Sequence, residues 1–183
     1  MSIWAVSFAA CAVQNGSFDK AIKNLRYVEN MPYFSTFSGD SIFWEVVKNK
    51  KIIPALIDNI SDTTDTKARV PYFGGYYTVG DACFLALIEW IPDLRTVQFI
   101  ESKEKELAEK GAGVYWEYMG ESIDNRIIFE QKVRTWYLQN RSKLVWIEDI
   151  NRYPIEDRED SKLRERPSGG FFVLQENLHM YKH

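Results

Sequence analysis

The chain has 183 residues, 45% of them hydrophobic and 15% aromatic, with 23 basic against 26 acidic side chains and a net charge of −3. That length suits one ordinary domain, which buries roughly 70% of its unfolded surface, so the core does not depend on a metal or a disulfide. The charge balance excludes non-specific nucleic-acid binding, which needs a basic excess to displace counterions, and no run of about 18 apolar residues is present to span a bilayer.

The first element is the apolar run IWAVSFAACAV, Ile3 to Val13, closed by Gln14-Asn15-Gly16. Its length fits the hydrophobic part of a signal peptide. The small residues before Cys11 fit a lipobox, in which the cysteine is lipidated, although no basic residue precedes the run. The other reading is a helix or strand packed on the core. Residues 1–16 are thus either a truncated signal with Cys11 as the lipidation site or an N-terminal core element. Residues 17–183 read as a single helical domain. Lipidation would anchor the chain to a membrane without spanning it.

Ser17 is suited to cap a helix whose inward positions are Phe18, Ile22, Leu25 and Val28. After a loop at MPYFSTFSGD, Asp40 or Ser41 caps a second helix with Ile42, Phe43, Val46 and Val47 on one face. KIIPALIDNI follows with Pro54 in a first helical turn, where its missing N–H costs nothing. Two short amphipathic helices so close together predict a helical hairpin. SDTTDTK reads as a break.

Tyr72-Phe73 and Tyr76-Tyr77 flank Gly74-Gly75, a signal for a β-hairpin turning on the glycines. DACFLALIEWI is apolar nearly all round, which predicts a helix buried on most sides, with Phe84, Leu85, Leu87, Ile88 and Ile91 in the core. Thr78 or Asp81 caps it. PDLRTVQFI suits another short helix, and ESKEKELAEKGAG a solvated one. DNRIIFEQKVRTWYLQN reads as the longest helix, capped by Asp124, with Phe129, Val133, Trp136 and Tyr137 on one face. KLVWIED is a short strand or a helix extension, DREDSKLRER an exposed loop, and PSGGFFVL a turn followed by a strand. The fold class is mostly α: a single domain of packed short helices with a small β-hairpin element.

The glycines do not make a phosphate loop. That motif needs a lysine after its last glycine, and Gly80 is followed by Asp81. A carboxylate repels phosphate but suits a helix N-terminus. Asp58, Asp62, Asp65 and Asp81 are the acidic candidates, as a general acid/base pair or a cation site; no EF-hand order is present, so capping and solvation explain them as well. Tyr72, Phe73, Tyr76 and Tyr77 cannot all face the core if they alternate along a hairpin, so one face is left to bind a protein or a glycan. Cys83, within an apolar run and with no basic residue near it in sequence, reads as a small buried hydrophobe. His179 and His183 are the only histidines, both at the chain end, which disfavours a histidine-based zinc site or triad. No catalytic residue, metal ligand or cofactor is assigned.

The combination of KIIPALIDNISDTTDT, YYTVGDACFLALIEWI and RPSGGFF resembles an uncharacterised group of bacterial envelope proteins, notably of Bacteroidetes, many of them lipoproteins. The likeness covers Asp40 to Pro92 and the late motif. It implies a helical domain with an envelope address, and it carries no activity and no site residue. The expectation is therefore a non-catalytic binding or structural protein of the cell envelope, meeting a membrane only through a lipid on Cys11. The alternatives are a hydrolase with a carboxylate pair and a cytoplasmic inhibitor or immunity-type protein.

Overall fold

The computed structural model describes residues 16–32, 39–100, 113–148 and 169–181. The segment with Cys11, the polar stretch at 101–112, the charged stretch within 149–168 and His183 lie outside them, and so do the readings made there.

The described chain is mostly helical with a small β component. Helix α1 (16–24) tightens into a 3-10 turn at Leu25–Tyr27. Ile22, Leu25 and Val28 are buried, as their spacing predicts. Asp40 joins this end to α2 (Ser41–Glu45). Its Oδ1 accepts from the backbone of Ile42 and Phe43, capping the helix, while Oδ2 accepts from Glu29 N at 2.7 Å. After a 3-10 turn, α3 (Ile53–Ile57) begins with Pro54 in its first turn. It packs chiefly on later helices rather than on α2, so the expected pairing of the two short helices is not what holds it. The reason lies in its stripe: Ile53, Leu56 and Ile57 face the large apolar surface of the helix that follows the hairpin.

The hairpin itself is shifted from its expected place. Its strands are β1 (Asp65–Arg69) and β2 (Tyr76–Thr78), antiparallel, with Asp65 opposite Thr78 and Arg69 opposite Tyr76. Tyr72 and Phe73 belong to the turn, not to a strand. The segment expected to be a break supplies β1 because Thr66 and Ala68 alternate inward while Asp65, Lys67 and Arg69 face out. Lys67 N also donates to Val28 O at 3.0 Å, which covers the free edge of β1.

Helix α4 (Val79–Trp90) is the centre of the molecule. Nine of its residues are buried, among them Phe84, Leu87 and Trp90; Leu85 and Ile88, expected in the core, are half-buried along its one open strip. Gly80 is required here, since a Cβ would lie 2.1 Å from the carbonyl oxygen of Ile60. Trp90 Nε1 donates to Val46 O at 3.3 Å, tying α4 to the end of α2. A 3-10 turn at Thr96–Phe99 follows.

Helices α5 (Gly113–Glu121) and α6 (Ile123–Asn140) close the core. α5 was not foreseen. α6 starts on Ser122, whose hydroxyl accepts from Asn125 N at 3.1 Å, and not on Asp124, which is exposed inside the first turn. Phe129 and Val133 are fully buried, Trp136 and Tyr137 half-buried, on the face expected. The Phe129 ring meets Phe84 edge-on at 4.8 Å.

The second sheet pairs β3 (Leu144–Glu148) with β4 (Gly170–Leu174), antiparallel and in unbroken register. It is held to α4 through Asp93. That buried carboxylate accepts from Leu174 N at 2.6 Å and Asn177 Nδ2 at 3.0 Å, and the final 3-10 turn, Gln175–Tyr181, adds Tyr181 Oη at 3.3 Å. Among the described residues no helix is long and apolar enough to cross a membrane.

Candidate binding surface

Two arrangements lie at opposite ends of the stretch 72–81. The first is the turn between β1 and β2. It is closed by Val70 N donating to Gly75 O at 3.2 Å. Reversing the chain in so few residues takes three consecutive-to-near left-handed positions: Tyr72 at φ 69°, Gly74 at 71° and Gly75 at 74°. Glycine adopts these freely, whereas a bulky residue does so only under strain.

Tyr72 is 94% exposed, Phe73 49% and Tyr76 44%. The Phe73 ring leans on the start of α5, where Gly113 has no side chain to obstruct it. The Arg69 guanidinium stands 5.6 Å from the Tyr76 ring centroid, its cross-strand partner. Tyr77, one of the four aromatics considered for binding, does not join the surface. It points inward, is 3% exposed, and meets Trp116 edge-to-face at 5.1 Å. Strand alternation explains this: Tyr76 faces out, so Tyr77 faces in. Three of the four expected aromatics therefore share a surface, and the fourth is core. Arg69 was missed, although its place at the strand end nearest the turn was readable once β1 was recognised.

The second arrangement is the start of α4, a polar cluster sealed in the interior. Thr78 Oγ1 accepts from Asp81 N at 3.1 Å, and Asp81 Oδ2 accepts from Thr78 N at 2.8 Å, a reciprocal capping box. Of the two expected caps, Thr78 is the N-cap, and Asp81 caps back from within the first turn. Asp81 Oδ1 accepts from Tyr115 Oη at 2.9 Å and from Arg126 Nη1 at 3.1 Å. Arg126 also donates to Thr78 Oγ1 and, through Nε, to Met119 O, both at 3.0 Å. The cluster holds β2, α4, α5 and α6 together. Arg126 lay on the inward stripe of α6, three residues before Phe129 and seven before Val133, and that position was the available signal.

Asp62 lies beside the start of α4, its carbonyl accepting from Gly80 N at 2.9 Å, but its carboxylate shares no hydrogen-bond partner with Asp81, and neither does that of Asp58. Asp58 is exposed and paired with Arg134, which also bonds Glu130 Oε1 at 2.7 Å. Asp62 Oδ1 accepts from Thr64 N at 2.8 Å, and Asp65 is exposed at the start of β1. Among the described residues no group of three histidine, cysteine, aspartate or glutamate side chains is placed to hold a metal ion. Cys83 is fully buried, and burial first, then the negative charges of Asp62, Asp81 and Glu130, push its thiol well above the ordinary 9.0. It is a packing residue with no tendency to form a thiolate. His179 is exposed on the last turn.

No family model, no curated protein and no solved structure matches this chain. Three outward aromatic groups with a guanidinium beside them offer flat apolar contact and a cation, which suits recognition of another molecule's surface.

Proposed function

We propose that the chain is a non-catalytic binding protein of the bacterial cell envelope, and that it meets a protein or glycan partner through Tyr72, Phe73 and Tyr76. The observation that carries this reading is Tyr72. A left-handed conformation costs an L-residue roughly 1–2 kcal/mol, and a side chain 94% exposed recovers none of it by burial. Strain kept at an exposed aromatic is best explained by a contact made outside the molecule. The envelope address rests on the resemblance in Asp40 to Pro92 and on the lipobox-like residues before Cys11. The carboxylate-pair alternative gains no support, because Asp58, Asp62, Asp65 and Asp81 are each engaged or exposed separately.

The test places a photoreactive benzophenone side chain at position 72 of the full chain in its native cells, with position 48 as an exposed control. A discrete adduct from position 72, absent from position 48, is expected. It should disappear in competition with excess native chain and persist in competition with Tyr72→Ala. No adduct, or equal labelling from both positions, sinks the proposal. Labelled fatty acid entering the native chain but not Cys11→Ala tests the envelope anchor.

A further inference from the structure

Among the described residues β3 pairs with β4 alone. The direction of its remaining backbone groups follows from one bond. Leu174 N, opposite Leu144 in register, turns away from β3 and donates to Asp93 at 2.6 Å. Antiparallel ladders alternate between pairs that exchange two hydrogen bonds and pairs that exchange none. Leu144–Leu174 is thus a non-bonded pair, and so are Trp146–Phe172 and Glu148–Gly170. The N–H and C=O groups of Leu144, Trp146 and Glu148 therefore point out along the free edge. None of these three residues has a further hydrogen bond there.

Edges left open in this way pair with other strands unless proline, an edge lysine, a bulge or a covering element prevents it. β4 has Asp93 on its outer side and β1 has the Val28 backbone. Among the described residues β3 has no such guard. It reads Leu-Val-Trp-Ile-Glu, has no bulge, and its first four residues are half-exposed.

We propose that β3 pairs antiparallel with β3 of a second copy of this chain across a two-fold axis at Trp146. The charges flanking the strand select that occupant. Arg141 and Lys143 stand exposed before it, and Glu148 stands exposed at its end. Antiparallel self-pairing sets the basic end of each strand beside the acidic end of the other, twice by symmetry. The same axis matches outward-pointing residues with outward-pointing residues: Trp146 with its own copy, and Leu144 with Glu148. That completes roughly six ladder hydrogen bonds and makes one four-stranded sheet from two short ones. This surface is separate from the aromatic turn, so either proposal can fail without the other.

The experiment is sedimentation equilibrium of the full chain over a concentration series, on native protein, Lys143→Glu, Glu148→Lys and an equimolar mixture of the two variants. Both positions are exposed, so folding is preserved, which circular dichroism checks. Native chain should approach twice its 21.4 kDa mass. Each variant alone sets like charges together at both ends and should associate about tenfold more weakly, the effect of two exposed ion pairs lost and opposed. The mixture restores attraction at both ends and should recover native association. Three results overturn the proposal: native chain monomeric at its highest soluble concentration, single variants that associate as the native chain does, or a mixture no stronger than its components. Protection of the Trp146 amide from exchange in a monomeric chain would show the edge filled by another segment or partner, and would also overturn it.

Discussion

Tyr72 and Asp81 are nine positions apart and oppositely treated. Tyr72 is 94% exposed, in a strained conformation, with its side chain in solvent. Asp81 is 1% exposed, and both its oxygens are hydrogen-bonded, to Thr78, Tyr115 and Arg126. The same short stretch therefore ends on one side in a surface and on the other in the molecule's internal fastening. The difference teaches where stability and recognition reside: substitutions at the Asp81 end should cost the most stability, while those at the Tyr72 end should shift it by about 1 kcal/mol or less and alter what the chain touches.

Arg126→Met gives the largest expected effect. It leaves the Asp81 carboxylate buried without its cation, and breaking a buried pair from one side costs about 3–5 kcal/mol. Denaturant unfolding measures it. The double variant Asp81→Asn/Arg126→Met keeps an acceptor for Thr78 N and removes the lone charge, so it should cost less than Arg126→Met alone. A loss under 1 kcal/mol for the single variant would remove the contrast between the two ends.

The glycines sharpen the same comparison. Gly80→Ala forces a methyl group onto the Ile60 carbonyl, 2.1 Å from the ideal Cβ position, with backbone that cannot swing aside. It should cost about 1–3 kcal/mol. Gly74 has open space around it, so Gly74→Ala carries only the penalty of its left-handed φ and should cost about 1 kcal/mol. Equal losses at the two glycines in thermal unfolding would contradict this assignment.

Much of the Asp81 end was legible in advance. The choice between cap and phosphate loop followed from Asp81 after Gly80, and the burial of α4 from an apolar run with hardly any polar face. What could not be read was the partner. Arg126 is 45 positions away, and only its place on the inward stripe of α6 marked it. β1 was misread because its inward residues, Thr66 and Ala68, are small and give weak apolar alternation. Without β1 the pattern sets the aromatics themselves as the paired strands, and it does not say which of the four the outward face holds. Helix α5 was overlooked because glycines at 113 and 120 and a dense aromatic run, Tyr115, Trp116 and Tyr118, do not read as helical. The pairing of β3 with β4 joins positions separated by charged sequence, and local pattern carries no information about such a contact.

Tyr115→Phe is expected to have a smaller effect than either Arg126→Met or Gly80→Ala. Asp81 Oδ1 keeps Arg126, so only one hydrogen bond is lost, about 0.5–1.5 kcal/mol near neutral pH. The variant also tests alkaline behaviour. Burial first, then the Asp81 charge, raises the Tyr115 phenol well above its ordinary 10.0, and burial does the same to the Cys83 thiol above 9.0. Both groups hold their protons more tightly in the folded chain. Their stabilising contribution is complete below the unfolded values and is lost as pH rises past them, beginning near pH 9.0 for Cys83 and near 10.0 for Tyr115. The gap in stability between native chain and Tyr115→Phe should therefore narrow above pH 10. A gap independent of pH would show that the Tyr115 hydroxyl is not sealed.

Tyr72→Gly is the smallest expected effect and has the opposite sign. Glycine accepts φ 69° without strain, and the tyrosine ring contributes no buried area that its removal would forfeit. Against this, glycine gives the unfolded chain more freedom. The net result should be a gain of up to about 1 kcal/mol, read as a higher thermal midpoint. The same variant should lose the contact that the benzophenone experiment detects at position 72. A stabilising substitution that abolishes binding separates recognition from folding at one residue. A Tyr72→Gly chain destabilised by well over the roughly 1 kcal/mol that added unfolded-state freedom explains would instead show that the ring packs in the folded state, and the aromatic turn would then belong with the Asp81 end as structure.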